Sequence, residues 1–241
     1  MKIRTLIMAL AAFSFMLTAC GNKQANQEQN TENPTETVAE EEPTFTADDV
    51  NQIGAIISVW EEMPITVAAV DGMSDIKCVA KAFCSEFSNY EPNKVICDYI
   101  NNPESETGNF MVESKEENGY IACRGMFQYN EDTYCRIWER ENGHKLVGFW
   151  LIENSENGDE TTLLAFYDID PETNIMTPEP EMAKKIEEAM AQYDSYAFNM
   201  PEEGEDAGVI GYKATEEDGF ETAYYILHWN GGEFIMEKEA E

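Results

Sequence analysis

The chain has 241 residues, of which 48 are Asp or Glu and 15 are Lys or Arg, for a formal charge of −33. Such a polyanion repels phosphate backbones and anionic lipid surfaces, whose neutralisation takes clustered basic residues, so nucleic acid is not an expected partner. At 43% hydrophobic and 11% aromatic it still carries enough apolar surface for one sizeable core, which excludes wholesale disorder.

Lys2 and Arg4 precede an apolar run from Leu6 to Leu17 broken only by Ser14, and the run ends in Leu17-Thr18-Ala19-Cys20. About a dozen residues is too short for a membrane span, which needs about twenty; the layout is that of a secretory signal peptide. Leu17 to Cys20 resembles the lipobox of bacterial lipoproteins. The resemblance implies that residues 1–19 are removed and that Cys20 becomes the acylated first residue. Several acyl chains, at about 0.8 kcal/mol per buried CH₂, make such an anchor stable. Gly21 and Asn22 follow the cysteine, without the aspartate that retains some Gram-negative lipoproteins at the inner membrane. The resemblance thus points to the cell envelope and to the outer membrane, with the leaflet open. An ordinary signal peptide, or a buried N-terminal helix with an incidental Cys20, is the alternative.

Residues 20–45 are rich in Asn, Gln, Thr, Glu and Pro, with Val38 and Phe45 as the large apolar residues. They cannot bury enough to offset their ordering entropy and are expected to form a solvated tether of roughly 25–30 Å reach. Residues 46–241 are expected to form one soluble domain.

Thr46-Ala47-Asp48-Asp49 offers a helix start, with Val50, Ile53, Ile57 and Trp60 at helical spacing. A second helix is predicted after Ser74, where Ile76, Val79, Ala80, Phe83 and Phe87 fall on one face. Pro92 suits the first turn of a third. Beyond Pro103 the pattern becomes strand-like: residues 120–127 and 133–140 alternate, whereas 146–152 and 163–167 are almost continuously apolar, as strands covered on both faces. Asn142-Gly143 predicts a tight hairpin. A helix capped by Thr177, with Pro178 at its first position, follows, then strands near 195–199, 206–214 and 221–229 and a last one through Phe234 and Met236. The class is α+β: N-terminal helices, an antiparallel β meander, one further helix and a C-terminal antiparallel β segment.

Besides Cys20 the cysteines are Cys78, Cys84, Cys97, Cys123 and Cys135. A hairpin turning around Tyr129 sets Cys123 opposite Cys135, which predicts a cross-strand disulfide in an oxidising compartment. The alternative is two reduced, buried cysteines. The pairing of Cys78, Cys84 and Cys97 stays open, and no spacing matches a zinc module.

No nucleophile elbow, phosphate loop or dinucleotide fingerprint is present. His144 and His228 are expected as strand or turn residues rather than catalysts, and no catalytic residue, cofactor or metal is expected. Asp168, Asp170, Glu172, Asn174 and Glu179 imitate a calcium-loop spacing, but Thr173 stands where the sharp turn wants glycine, so an acidic turn before a helix is the preferred reading. Arg124, Arg136 and Arg140 all fall in one predicted hairpin. Arg124 and Arg136 share a face with Tyr120, Tyr134 and Trp138, a candidate anion-binding patch, because guanidinium forks match carboxylates. The competing reading is that they pair with the protein's own acids.

The segments Glu91-Pro92-Asn93-Lys94, Asn142 to Val147, Leu163 to Asp168 and Trp229-Asn230-Gly231 through Phe234 are similar to uncharacterised lipoproteins exported by Gram-negative gut bacteria. The resemblance implies compartment and architecture, with no site residues to carry over. The function these observations favour is a non-enzymatic, lipid-anchored envelope module that binds an envelope protein or a glycan. A small envelope hydrolase acting on glycans through paired carboxylates is the alternative.

Overall fold

The computed structural model describes residues 53–126, 131–154, 160–215 and 219–239. The signal peptide, the Cys20 anchor, the tether and the Thr46 helix start lie outside the described residues. The described chain is α+β, with four α-helices and eleven antiparallel strands in two sheets. In chain order the elements are α1 (Ile53–Val59), β1 (Ile65–Thr66), α2 (Asp75–Glu86), α3 (Glu91–Asn101), β2 (Phe110–Lys115), β3 (Tyr120–Gly125), β4 (Glu131–Glu139), β5 (Lys145–Asn154), β6 (Glu160–Asp170), β7 (Ile175–Pro178), α4 (Pro180–Met190), β8 (Ser195–Asn199), β9 (Ala207–Ala214), β10 (Phe220–Trp229) and β11 (Phe234–Lys238). No described helix is long and apolar enough to cross a membrane.

The larger sheet runs β1-β7-β6-β5-β4-β3-β2 and the smaller β11-β10-β9-β8. Side chains alternate across a strand, and the pairings from β3 to β6 keep odd numbers on one face and even numbers on the other. Ile121, Cys123, Ile137, Val147, Phe149, Leu151, Ala165 and Tyr167 pack with the apolar faces of α1, α2 and α3. Tyr120, Ala122, Trp138, Leu146, Trp150, Leu164 and Phe166 pack with α4 and the smaller sheet. Both faces of β5 and β6 are therefore dry, which is why their sequences read as continuous apolar runs. Phe83 of α2 stacks on Phe149 of β5 at 3.7 Å between ring centroids. Gly148 lies where a Cβ would come within 3.0 Å of both the Trp138 and Phe166 rings.

Helix α2 follows Ser74 and buries Ile76, Val79, Ala80 and Phe83, and α3 carries Pro92 in its first turn, both as the periodicity predicts. Three features depart from expectation. In α1, Ile53 and the following Trp60 are buried as predicted, but Ile56 rather than Ile57 fills the inward place between them, and Ile57 is exposed. Residues 175–178 form β7 between β1 and β6, with Met176 buried, and the next helix starts at Pro180 after Glu179 rather than at Pro178 after Thr177. Either proline can open a helix; the sheet edge claims the first.

The third departure concerns the hairpin register. Cys123 pairs with Thr133, and Cys135 pairs with Ile121, two residues away from the predicted register. The Cys123–Cys135 disulfide is consequently not formed, and both are buried free thiols. A slip of two residues leaves every side chain on its own face, so the hydrophobic pattern fixes the faces but not the pairing. Thr133 occupies the place opposite Cys123 and donates its hydroxyl to Asn93 Oδ1 of α3 at 2.9 Å. Asn93 in turn donates to the Phe87 carbonyl at 3.1 Å, so this buried polar pair is internally satisfied.

Candidate functional site

The parity of β3 and β4 sends Arg124, Tyr134, Arg136 and Trp138 to the face turned away from α1–α3, together with Tyr120, as the sequence predicts. The two arginines then meet different surroundings. Arg124 reaches Glu113 at 3.2 Å, Glu202 at 2.8 Å and the Tyr120 hydroxyl at 2.9 Å, and it lies 5.4 Å from the Tyr134 ring centroid. The Glu202 carboxylate, also held by Lys115 at 2.7 Å, is kept below the usual glutamate range by those two cations. Burial pushes the Tyr120 phenol up to about 12, so it stays a neutral acceptor. Arg124 is thus filled by the protein's own acids.

Arg136 is different. Only 5% of it is exposed, and its Nη2 donates to the Gly204 carbonyl in the connection between β8 and β9. Its Nε and Nη1 are buried and have no hydrogen-bond partner. Burial pulls its pKa down, and the charge of Glu205 only partly opposes that, because Glu205 does not reach ion-pair distance. A guanidinium cannot discard its proton, so an uncompensated buried one is costly.

Arg136 lines a cleft of about 480 Å³. One wall is β4 with Trp138, whose indole donates to the Glu205 carbonyl at 2.8 Å. The lining also takes in Asp75 and Ile76 at the start of α2 and the turn at Glu116–Asn118. Ser74 precedes α2 but spends its hydroxyl on Glu116 at 2.5 Å, so no side chain caps the first-turn N–H groups. That end of α2 keeps uncapped N–H groups, with the Asp75 and Glu116 carboxylates beside them. Lys145 closes one side, paired with Asp75 at 2.5 Å and Glu139 at 3.0 Å. Among the described residues no ion pair neutralises Glu117 or Glu205, so the buried Arg136 shares the cleft lining with two exposed, unpaired carboxylates. The sequence reading named Arg136 and Trp138 for this face but missed Gly204, Glu205 and the Glu116–Asn118 turn. Glu202 to Glu205 is one acidic run among many, and only tertiary contact singles it out.

The remaining candidates resolve into internal pairs. His144 Nδ1 lies 2.7 Å from Asp168 Oδ2, and that contact raises the His144 pKa above its ordinary value. Arg140 donates to Asp168 and, at 2.6 Å, to Glu179. His228 Nδ1 lies 2.8 Å from Asp206. Each histidine has an aspartate partner, yet no hydroxyl or thiol is hydrogen-bonded to either ring among the described residues. Asp168 and Glu179 are committed to Arg140, and Asp170 accepts the Glu172 N–H and the Thr173 hydroxyl, so the calcium-like spacing is an Asx-type turn with Asn174 at φ 55°. Among the described residues no group of His, Cys, Asp and Glu is arranged to hold a metal.

Comparison with known proteins adds no relative: no family model matches the chain. No curated protein and no solved structure matches it either.

Proposed function

We propose that the protein is a lipid-anchored cell-envelope module, acylated at Cys20, whose domain binds a small zwitterionic ligand in the Arg136 cleft without transforming it. The observation that carries this reading is the buried Arg136 guanidinium, which lines the cleft and has two nitrogens without a partner. A carboxylate supplies what Arg136 lacks: acceptors for the guanidinium. The rim carboxylates of Glu117 and Glu205 would repel a bare anion, and they favour a ligand that carries an ammonium group as well. An amino acid or a short peptide has that combination. A few convergent polar groups in a cleft of this size fix orientation, as binding sites generally require. The Leu17-Thr18-Ala19-Cys20 segment supports the envelope location.

The test is calorimetric titration of the purified domain with free amino acids and di- and tripeptides, beside acetate and neutral sugars. Zwitterions are expected to bind and acetate to bind at least about tenfold more weakly, a difference of about 1.4 kcal/mol. Failure of every zwitterion, or binding that survives in Arg136→Met, removes the reading. Mass spectrometry of membrane-extracted protein tests the anchor: Cys20 without acyl mass would remove that half of the proposal.

A further inference from the structure

Cys84 and Cys97 belong to no recognisable motif, yet the fold brings them together from two helices. Cys84 lies on the buried face of α2 and is fully enclosed, whereas Cys97, midway along α3, is only half-buried. The Cys97 sulfur lies 3.6 Å from the Ser85 hydroxyl and 3.9 Å from the Lys81 carbonyl, which seats it against the turn of α2 that carries Cys84. Lys81 and Ser85 flank Cys84 on α2, so the Cys97 sulfur sits beside the turn from which Cys84 projects.

We propose that Cys84 and Cys97 form a reactive dithiol site that closes into a disulfide between α2 and α3 on meeting a disulfide oxidant. The two sulfurs are unequal in the way such a site needs. Donation from Cys84, helped by Ser85, lowers the Cys97 thiol to about 7 against the opposing effect of burial, while burial pushes Cys84 up. Cys97, half thiolate near neutrality and reachable from solvent, is the attacking group. Its thiolate attacks one sulfur of a small-molecule or protein disulfide, forming a mixed disulfide and expelling the other half as a thiolate. Cys84 then gives its proton to that thiolate and attacks the Cys97 sulfur, expelling the second half, which takes a proton from solvent. One S–S bond breaks and one forms, and two electrons pass from the protein to the oxidant. The inference does not depend on the Arg136 cleft, with which it shares no residue.

The test uses the reduced, purified protein treated with oxidised glutathione, followed by alkylation of remaining thiols, digestion and mass mapping. The expected product has lost two hydrogens and links Cys84 to Cys97, with Cys78, Cys123 and Cys135 recovered as free thiols. A linkage through any other cysteine, or alkylation of both Cys84 and Cys97 after oxidation, overturns the proposal. In a second measurement, pulse alkylation near neutral pH is expected to label Cys97 at least about tenfold faster than Cys123, which is fully buried and whose thiol burial pushes up. Cys84→Ala should slow Cys97 labelling several-fold; an unchanged rate in that variant also overturns the pairing.

Discussion

Replacing Arg136 by Met decides whether its guanidinium serves a ligand or merely fastens the fold. Two buried nitrogens without acceptors hold the side chain at about 1–3 kcal/mol each, so about 2–6 kcal/mol disappears when the charge is removed. Against that stands the lost bond from Nη2 to the Gly204 carbonyl, about 1.5–3 kcal/mol for a charged donor, with no further penalty because Gly204 is exposed and water can take the donor's place. The two ranges overlap at their lower ends, and Met keeps most of the aliphatic packing between β4 and the connection from β8 to β9. Arg136→Met is therefore expected within about 1 kcal/mol of the parent in urea denaturation, with an unchanged slope, and without zwitterion binding. Severing a well-made buried pair would cost about 3–5 kcal/mol instead. A loss of about 2 kcal/mol or more refutes the reasoning: the guanidinium would then be a structural latch on residues 201–206. Arg124→Met is the internal control. It leaves Glu113 and Glu202 to share Lys115 alone and is expected to lose more stability than Arg136→Met.

Two further outcomes follow from buried or perturbed polar groups. Thr133→Val removes the donor to Asn93 Oδ1 in a fully dry interior and should cost about 1–3 kcal/mol in the same denaturation assay; a cost near zero would mean that the amide finds another partner. His144 has its folded pKa raised by the Asp168 contact, so its contribution to stability is complete below the unfolded value of about 6.5 and is lost as pH rises through the raised native value. The melting-temperature gap between the parent and His144→Gln should accordingly be wide in mild acid and close in alkali. A gap independent of pH would show that the ion pair plays no part.

The larger elements were legible because each rests on a short-range rule. Helices α2 and α3 follow from apolar spacing and from Ser74 and Pro92 at their starts, and the continuous runs of β5 and β6 announce strands buried on both faces. What escaped were elements whose reason lies elsewhere in the chain. Strands β1 and β7 are short and gain their identity from each other and from β6. The first turn of α4 was mislaid because Pro178 and Pro180 look alike until Met176 is seen in the core. At the candidate site, alternation correctly put Arg124, Arg136, Tyr120, Tyr134 and Trp138 on one face. It could not distinguish a saturated Arg124 from an unsatisfied Arg136, because the distinction is made by Glu202 and Gly204, tens of residues away.

By itself the sequence determined the α+β class, the strands with two dry faces and the face each β3 and β4 side chain takes, since all of these depend on periods of two or about 3.6 that survive any long-range arrangement. Register, pairing and neighbourhood were decided only by the tertiary structure. A two-residue slip conserves every face yet separates Cys123 from Cys135, and helix packing joins Cys84 to Cys97 with no trace in local pattern. Chemistry at a distance needs atoms within a few ångströms, and periodicity specifies directions, not distances.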